Sequence, residues 1–200
     1  MKHLCAFALA TLLIPFPVSG QKKGAKKKEP PPEVRLAQRI DKVRNRLAEV
    51  AVPDSGARSL ENFARQCLDD AQRRLAAGQL LTADGLTQAA DALTRAVDHI
   101  RHSRDKSRKD YPSREEQAAH LERAYFRLQQ ADYFLAQSKD SRARTLPRTA
   151  RQFYQKARQA YDRQESQNAD EFTKVSEEIV KALEHLAHTA TPVREPPRLK

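Results

Sequence analysis

The apolar residues between positions 36 and 186 recur at alternating spacings of three and four, which is the period of an α-helix with one buried face. Every apolar pattern in this region has that period. The chain contains only five glycines among 200 residues, which leaves little room for tight hairpins or glycine-rich phosphate loops. Its mean hydropathy of -0.80 favours long helices with polar outer faces. We therefore predict an all-α fold.

Six helices are predicted, each with a stripe of apolar residues. The first helix ends before Pro53, the second ends near Gly78, and residues 102–113 interrupt the pattern as a linker. The six stripes are Leu36, Ile40, Val43, Leu47 and Val50; Leu60, Ala64, Cys67, Ala71 and Leu75; Leu86, Ala89, Leu93, Ala96 and Ile100; Ala118, Leu121, Tyr125, Leu128 and Leu135; Leu146, Ala150, Phe153, Ala157 and Tyr161; and Phe172, Val175, Ile179, Ala182 and Leu186.

An internal repeat relates the second and third helices to the fifth and sixth at an offset of 86 residues. Without a gap, residues 54–102 match residues 140–188 at 15 of 49 positions. This predicts two homologous three-helix units in tandem, at 33–103 and 113–188, joined by a basic linker at 104–112. The units would form either one helical bundle or a short helical-repeat array.

The hairpin between the second and third helices places small residues where the helices would cross. Leu75-Ala-Ala-Gly78 is followed by Ala89, Leu93 and Ala96, and this arrangement resembles tetratricopeptide-type helical hairpins. The resemblance covers the second and third helices of each unit. It implies a scaffold that binds peptides or proteins and has no chemistry of its own.

The first twenty residues have the layout of a secretory signal peptide. A short basic start precedes an apolar run from Leu4 to Ile14, and Val18-Ser19-Gly20 offers small residues to a signal peptidase. The run is short for a membrane span, so an uncleaved anchor is the less favoured alternative. We expect an exported protein, either periplasmic or extracellular.

Basic residues are concentrated in segments without a helical pattern, within a chain whose formal charge is +11. Residues 21–32 read as a disordered Lys/Pro-rich arm, and residues 189–200 as a disordered tail. These charges either bind an anionic membrane, an envelope polymer or an acidic protein, or simply solvate the chain; no recognition motif supports nucleic-acid binding. The candidate anion-binding residues are Lys22, Lys23, Lys26, Lys27, Lys28, Arg104, Lys106, Arg108 and Lys109.

Two histidine pairs fall at equivalent positions of the repeat, His99 with His102 and His185 with His188. Each pair spans one helical turn and follows an acidic residue, so one metal ion could take both imidazoles. The candidate cofactors are Zn, Cu or Ni, with His120 or a partner chain completing the site. Alternatively, both pairs are solvated in a last helical turn, where a cation complements the helix dipole. The helical wheel places the imidazoles of His99 and His102 away from the apolar face.

Aromatic residues are concentrated in the second unit. Neighbouring residues on a helix diverge by about 100°, so at most one member of each aromatic dipeptide can lie at the centre of the core. The other member either packs between helices or lines a groove for a peptide or an apolar ligand, beside the fourth and fifth predicted helices. The groove candidates are Tyr125, Phe126, Tyr133, Phe134 and Tyr154.

No nucleophile, base and orienting group form a recognisable set, so we expect no enzyme. Cys67, on an apolar stripe, is expected to be a small buried hydrophobe. The leading hypothesis is an exported, non-enzymatic helical interaction or scaffold protein that binds a protein partner and whose basic arm associates with an anionic surface. The alternatives are a transition-metal-binding protein that uses the histidine pairs, and a carrier of an apolar ligand.

Overall fold

The computed structural model describes residues 29–50, 55–105, 110–138 and 140–190. The predicted signal peptide, most of the basic arm, the lysines and arginine at 106–109 and most of the tail lie outside these ranges. Within them all regular structure is helical and no strand is present, which confirms the all-α prediction. No helix in these ranges has both the length and the hydrophobicity needed to cross a membrane.

The described residues form seven α-helices and one short 3-10 turn. They are α1 (Pro32–Glu49), α2 (Ser55–Ala76), α3 (Leu80–His102), α4 (Arg114–Gln129), α5 (Ala131–Gln137), the 3-10 turn Ser141–Thr145, α6 (Leu146–Asp162) and α7 (Ser166–Ala190). Local signals explain several boundaries. Pro32 stands in the first turn of α1, and Ser113 and Glu116 form a reciprocal capping box that starts α4.

The helices α3 and α7 form the centre of the bundle and make the most extensive helix contact in the described residues. They run antiparallel, because His99 near the end of α3 contacts Glu171 near the start of α7. Helix α2 covers the other side of α3, and α6 covers the other side of α7. A single apolar core runs from Leu36 to Leu186, so the two predicted units share one bundle.

The turn between α2 and α3 and the turn between α6 and α7 have the same backbone geometry, at positions 86 residues apart. Gly78 has a φ of 72° and Gln164 a φ of 61°, the left-handed conformation that ends a helix. In each turn the next residue donates its N–H to the carbonyl five residues earlier, from Gln79 to Arg74 and from Glu165 to Ala160, at 2.9 Å. These turns fit the repeat seen in the sequence. Descent from a duplicated unit stays a prediction.

The fourth predicted helix differs from the expectation in two respects. It is divided at Gln130 into α4 and α5, and the buried face of α4 consists of Gln117, Leu121, Ala124 and Leu128. Ala118 and Tyr125, assigned to the apolar stripe, are exposed. The buried face accommodates Gln117 because its side-chain amide donates to the carbonyl of Pro112 at 2.7 Å.

The central helix α7 is more acidic than the helices around it. Helix α7 carries five acidic and two basic residues, whereas α1 carries five basic and three acidic and α6 four basic and one acidic. Several ion pairs therefore join an outer helix to the central pair. Examples are Arg39–Asp84 at 2.9 Å, Arg46–Asp91 at 3.1 Å and Arg123–Glu177 at 3.0 Å. Pairs this exposed contribute little energy each, and they mainly favour one arrangement of helices over others.

Candidate functional site

The last turn of α3 and the first turns of α7 form a polar cluster that contains one of the predicted histidine pairs. His99 Nδ1 lies 2.7 Å from Glu171 Oε2. One ligand atom each from His99, His102 and Glu171 lies within 4.8 Å of the other two. Among the described residues, no second set of three such ligands comes as close together. We call this set the His–Glu cluster.

The carboxylate of the His–Glu cluster is fully buried. Its second oxygen, Glu171 Oε1, lies 3.9 Å from the Lys174 ammonium, which is closer to Asp170 at 2.6 Å. His120 Nδ1 lies 3.7 Å from Asp170 Oδ1, so His120 faces the neighbouring carboxylate and is not part of the cluster. A buried carboxylate is costly unless cations or donors surround it, and here His99 and Lys174 approach it.

The backbone around His102 is tied to α7. The Gln167 side-chain amide donates to the carbonyls of His102 at 2.6 Å and Asp105 at 2.5 Å, which occupies carbonyls that the helix end leaves free. Asp98 Oδ1 lies 3.8 Å from His102 Nε2, as the acidic flank in the sequence led us to expect. The position of His102 is therefore defined from both helices.

The second histidine pair lies at the opposite end of the α3–α7 contact and has no carboxylate from the facing helix. His185 is half-buried and His188 is exposed. The residue of α3 equivalent to Glu171 is Gly85, where an added Cβ would lie 2.5 Å from Thr189 Cγ2. The close approach of the helices here leaves no room for a carboxylate. Burial lowers the pKa of His185 below its usual 6.5.

The two histidine pairs therefore do not converge, and sequence reasoning missed Glu171. The helical wheel placed His99 away from a single apolar face, but α3 is buried against α2 on one side and α7 on the other. His99 consequently lies at a helix contact, with 22% of its side chain exposed. The sequence did contain one signal for this site: at equivalent positions of the repeat, the second unit has the acidic Glu171 and the first unit has Gly85.

An open groove of about 470 Å³ lies between α4 and α6, which correspond to the fourth and fifth predicted helices. Leu121 forms part of its apolar lining, and Tyr125, Tyr154 and Tyr161 contribute aromatic rings. The rings of Tyr125 and Tyr154 lie 6.0 Å apart across the groove. Of the five predicted groove residues, only Tyr125 and Tyr154 line it.

The other three predicted groove residues have different surroundings. Phe126 and Tyr133 are exposed by 61% and 63%, on the outer side of α4 and α5. Phe134 packs against the core. Neither member of the Tyr125-Phe126 dipeptide is in the core, because α4 turns Ala124 and Leu128 inward instead.

Charged side chains of both signs border this groove, which we call the tyrosine groove. The Arg114 guanidinium lies over the Tyr161 ring at 5.1 Å, and Arg158 and Glu122 are part of the lining. A hydrogen bond from Arg158 to Tyr154 raises the pKa of that guanidinium. Among the predicted anion-binding residues, Arg104 is exposed and the others lie outside the described ranges.

The lone described cysteine has a structural role. Cys67 is fully buried, and burial raises the pKa of its thiol to about 12. A thiol in this environment is a poor nucleophile and behaves as a small apolar side chain.

The fold defines an all-α bundle built around one antiparallel helix pair. Comparisons with protein-family models, curated proteins and solved structures found no match to this chain. The likeness to tetratricopeptide-type hairpins therefore remains an expectation from the sequence.

Proposed function

We propose that this chain is a non-enzymatic helical interaction protein that binds an acidic protein partner through the surface formed by α4, α5 and α6. The observation that carries the proposal is the exposure of three large aromatic side chains, Tyr125 in the tyrosine groove and Phe126 and Tyr133 on the outer side of α4 and α5. Exposed aromatic residues are typical of the centres of protein interfaces, where a partner covers them.

Charge supports the choice of an acidic partner. Arg158 lines the groove, and Arg148 and Arg151 are exposed on the same helix, α6. A partner with carboxylates around an apolar or aromatic anchor would place the anchor in the groove and its carboxylates on Arg158 and the exposed arginines of α6. Complementary charge of this kind increases the association rate and excludes basic competitors.

The basic arm would add a second, less specific attachment. Its five lysines and the linker residues carry much of the excess charge of the chain. We propose that the protein is exported and that the arm associates with an anionic envelope surface. Binding of the full chain to vesicles of anionic lipid should weaken as salt rises and after deletion of residues 21–28. Binding that is insensitive to salt, or unchanged by the deletion, would contradict the role of the arm.

The proposed surface is tested with a photo-crosslinking amino acid at position 126 of the full chain, where the Phe126 ring lies 6.1 Å from that of the groove residue Tyr125. Leu81, which is 70% exposed on α3, is the matched control position for a large apolar side chain outside the surface of α4, α5 and α6. We expect one acidic protein to crosslink at position 126 and not at position 81. The purified partner should then bind Tyr125→Ser at least ten times more weakly than wild type, and Leu81→Ser within a factor of two.

Other outcomes would reject the groove as the binding surface. These are equal crosslinking at the two positions, or a partner whose affinity Tyr125→Ser leaves unchanged. Recovery of a lipid in place of a protein would favour the apolar-ligand carrier. The open shape of the groove argues against a carrier, since pockets for small apolar ligands usually bury most of the ligand surface.

A further inference from the structure

The His–Glu cluster has the composition of a transition-metal site. Two imidazoles and one carboxylate suit borderline divalent ions such as zinc. The three ligands come from two different helices, and the two helices form the most extensive contact of the described fold. We propose that His99, His102 and Glu171 bind a divalent transition-metal ion, with the remaining coordination positions left to water.

The distances allow this with small side-chain rotations. Ligand atoms on a zinc ion with bonds of about 2.0–2.1 Å lie roughly 3.4 Å apart in a tetrahedral site. The three ligand atoms are already within 4.8 Å of one another, and His99 and Glu171 are at 2.7 Å. The ion would take the place of the hydrogen bond between His99 Nδ1 and Glu171 Oε2, so that both atoms become its ligands.

The surroundings favour a cation at this position. The fully buried Glu171 carboxylate supplies negative charge where water does not screen it, and the last turn of α3 adds the negative end of a helix dipole. Asp98 lies beside His102 and can orient that imidazole, as carboxylates next to metal-binding histidines commonly do. Gln167 fixes the backbone of His102, so the cluster is held in position before an ion arrives.

The repeat provides a matched control within the same molecule. His185 and His188 have the same spacing on α7, but Gly85 stands where the facing carboxylate would be. Two histidines on one helix without a third ligand bind an ion weakly. The site therefore belongs to one end of the α3–α7 pair only.

Zinc binding is measured by isothermal titration calorimetry on the full chain, without a polyhistidine tag. We expect one zinc ion per chain. His102→Ala and Glu171→Gln should each weaken binding at least thirtyfold, whereas the double variant His185→Ala/His188→Ala should bind within a factor of two of wild type. Cobalt in place of zinc should show visible absorption that disappears in Glu171→Gln.

Thermal unfolding gives a second measurement. Zinc at a hundredfold excess over its dissociation constant should raise the Tm of wild type and of the His185→Ala/His188→Ala variant by about 5–10 °C. The same zinc concentration should raise the Tm of His102→Ala by less than half as much. His102 is more than a third exposed, so His102→Ala keeps the test valid if Glu171→Gln does not fold. Unchanged binding in His102→Ala, equal loss in the His185→Ala/His188→Ala variant, or no binding by wild type would overturn the proposal.

Discussion

Each end of the α3–α7 pair carries two histidines three residues apart, but the residues of the facing helix differ between the two ends. At one end His99 contacts the buried carboxylate of Glu171. At the other end His185 is near Gly85, where the helices approach so closely that even a methyl group would contact Thr189. The two histidine pairs therefore have the same spacing but different surroundings. The facing helix decides whether the pair has a third ligand.

The middle of the pair is alike in both halves. Leu93 and Ile179, at equivalent positions of the repeat, are both fully buried. Thr87 and Thr173 are likewise equivalent, and each donates its hydroxyl to the carbonyl four residues earlier at 2.7 Å. At these two positions the halves have the same burial or the same hydrogen bond, whereas the ends that carry the histidines differ.

The largest expected loss of stability comes from substitutions at Leu93 and Ile179, which test whether the two halves contribute equally to the core. Leu93→Ala and Ile179→Ala should each lower the free energy of unfolding by about 2–5 kcal/mol, because each leaves a cavity in a fully buried position. Urea denaturation followed by circular dichroism measures both. Values that differ by more than about 2 kcal/mol would show that the two halves do not contribute equally to the core.

A smaller effect is expected from Glu171 when no metal is present. In buffer with a chelator, Glu171→Ala should lower the free energy of unfolding by about 1–3 kcal/mol, because it removes the partner of His99 and leaves a gap at a buried position. His185→Ala, at the other end of the α3–α7 pair, should lower the free energy of unfolding by a smaller amount. Denaturant unfolding of the two variants compares them, and a larger loss for His185→Ala would reverse the comparison.

The close approach at Gly85 predicts a coupling between two substitutions. Gly85→Ala adds helix propensity but places a Cβ against Thr189 Cγ2, whereas Thr189→Ser removes that methyl group and keeps the hydroxyl bonded to Leu186. Gly85→Ala should therefore be more favourable by about 1 kcal/mol in the Thr189→Ser background than in wild type. A double-mutant cycle of unfolding free energies measures this. A coupling near zero would mean that the helices can separate at this end without cost.

The smallest expected effect concerns pH. Burial lowers the pKa of His185 in the folded state, so the unfolded chain binds more protons as the pH falls below about 6.5. The contribution of His185 to stability is fully present above that pH and is lost as the pH falls through the lowered pKa. Unfolding free energies at pH 7.5 and 5.5 should therefore decrease less in His185→Asn than in wild type. If the unfolding free energy fell by the same amount in wild type and in His185→Asn, His185 would not be a cause of the pH dependence.

Most of the fold could be predicted from the sequence, and the error on the fourth helix has an identifiable cause. Tyr125 was assigned to an apolar stripe because its spacing fits, but a glutamine with a backbone partner can replace an apolar residue on the buried face. Gln117 does so in α4 in place of Ala118, and Ala124 is buried in place of Tyr125, while Leu121 and Leu128 are buried as predicted. Spacing alone cannot distinguish these two registers.

The candidate sites were less predictable than the helices. The groove was expected beside the correct helices, yet only Tyr125 and Tyr154 of its predicted residues line it. The angle at which two helices pack determines which side chains face the same space, and that angle is not a property of either helix alone.

The sequence by itself determined the helical class, the turn at Gly78, the buried position of Cys67 and the equivalence of the two histidine pairs, because periodicity, glycine and helix-terminal residues act locally. The tertiary structure alone decided that His99 and His102 meet Glu171 and that, among the described residues, His185 and His188 belong to no such set of three ligands. This depends on the antiparallel packing of α3 and α7, which brings together residues 72 positions apart in the chain. The chemistry of the cluster is set by that contact, since the same spacing of histidines occurs at both ends.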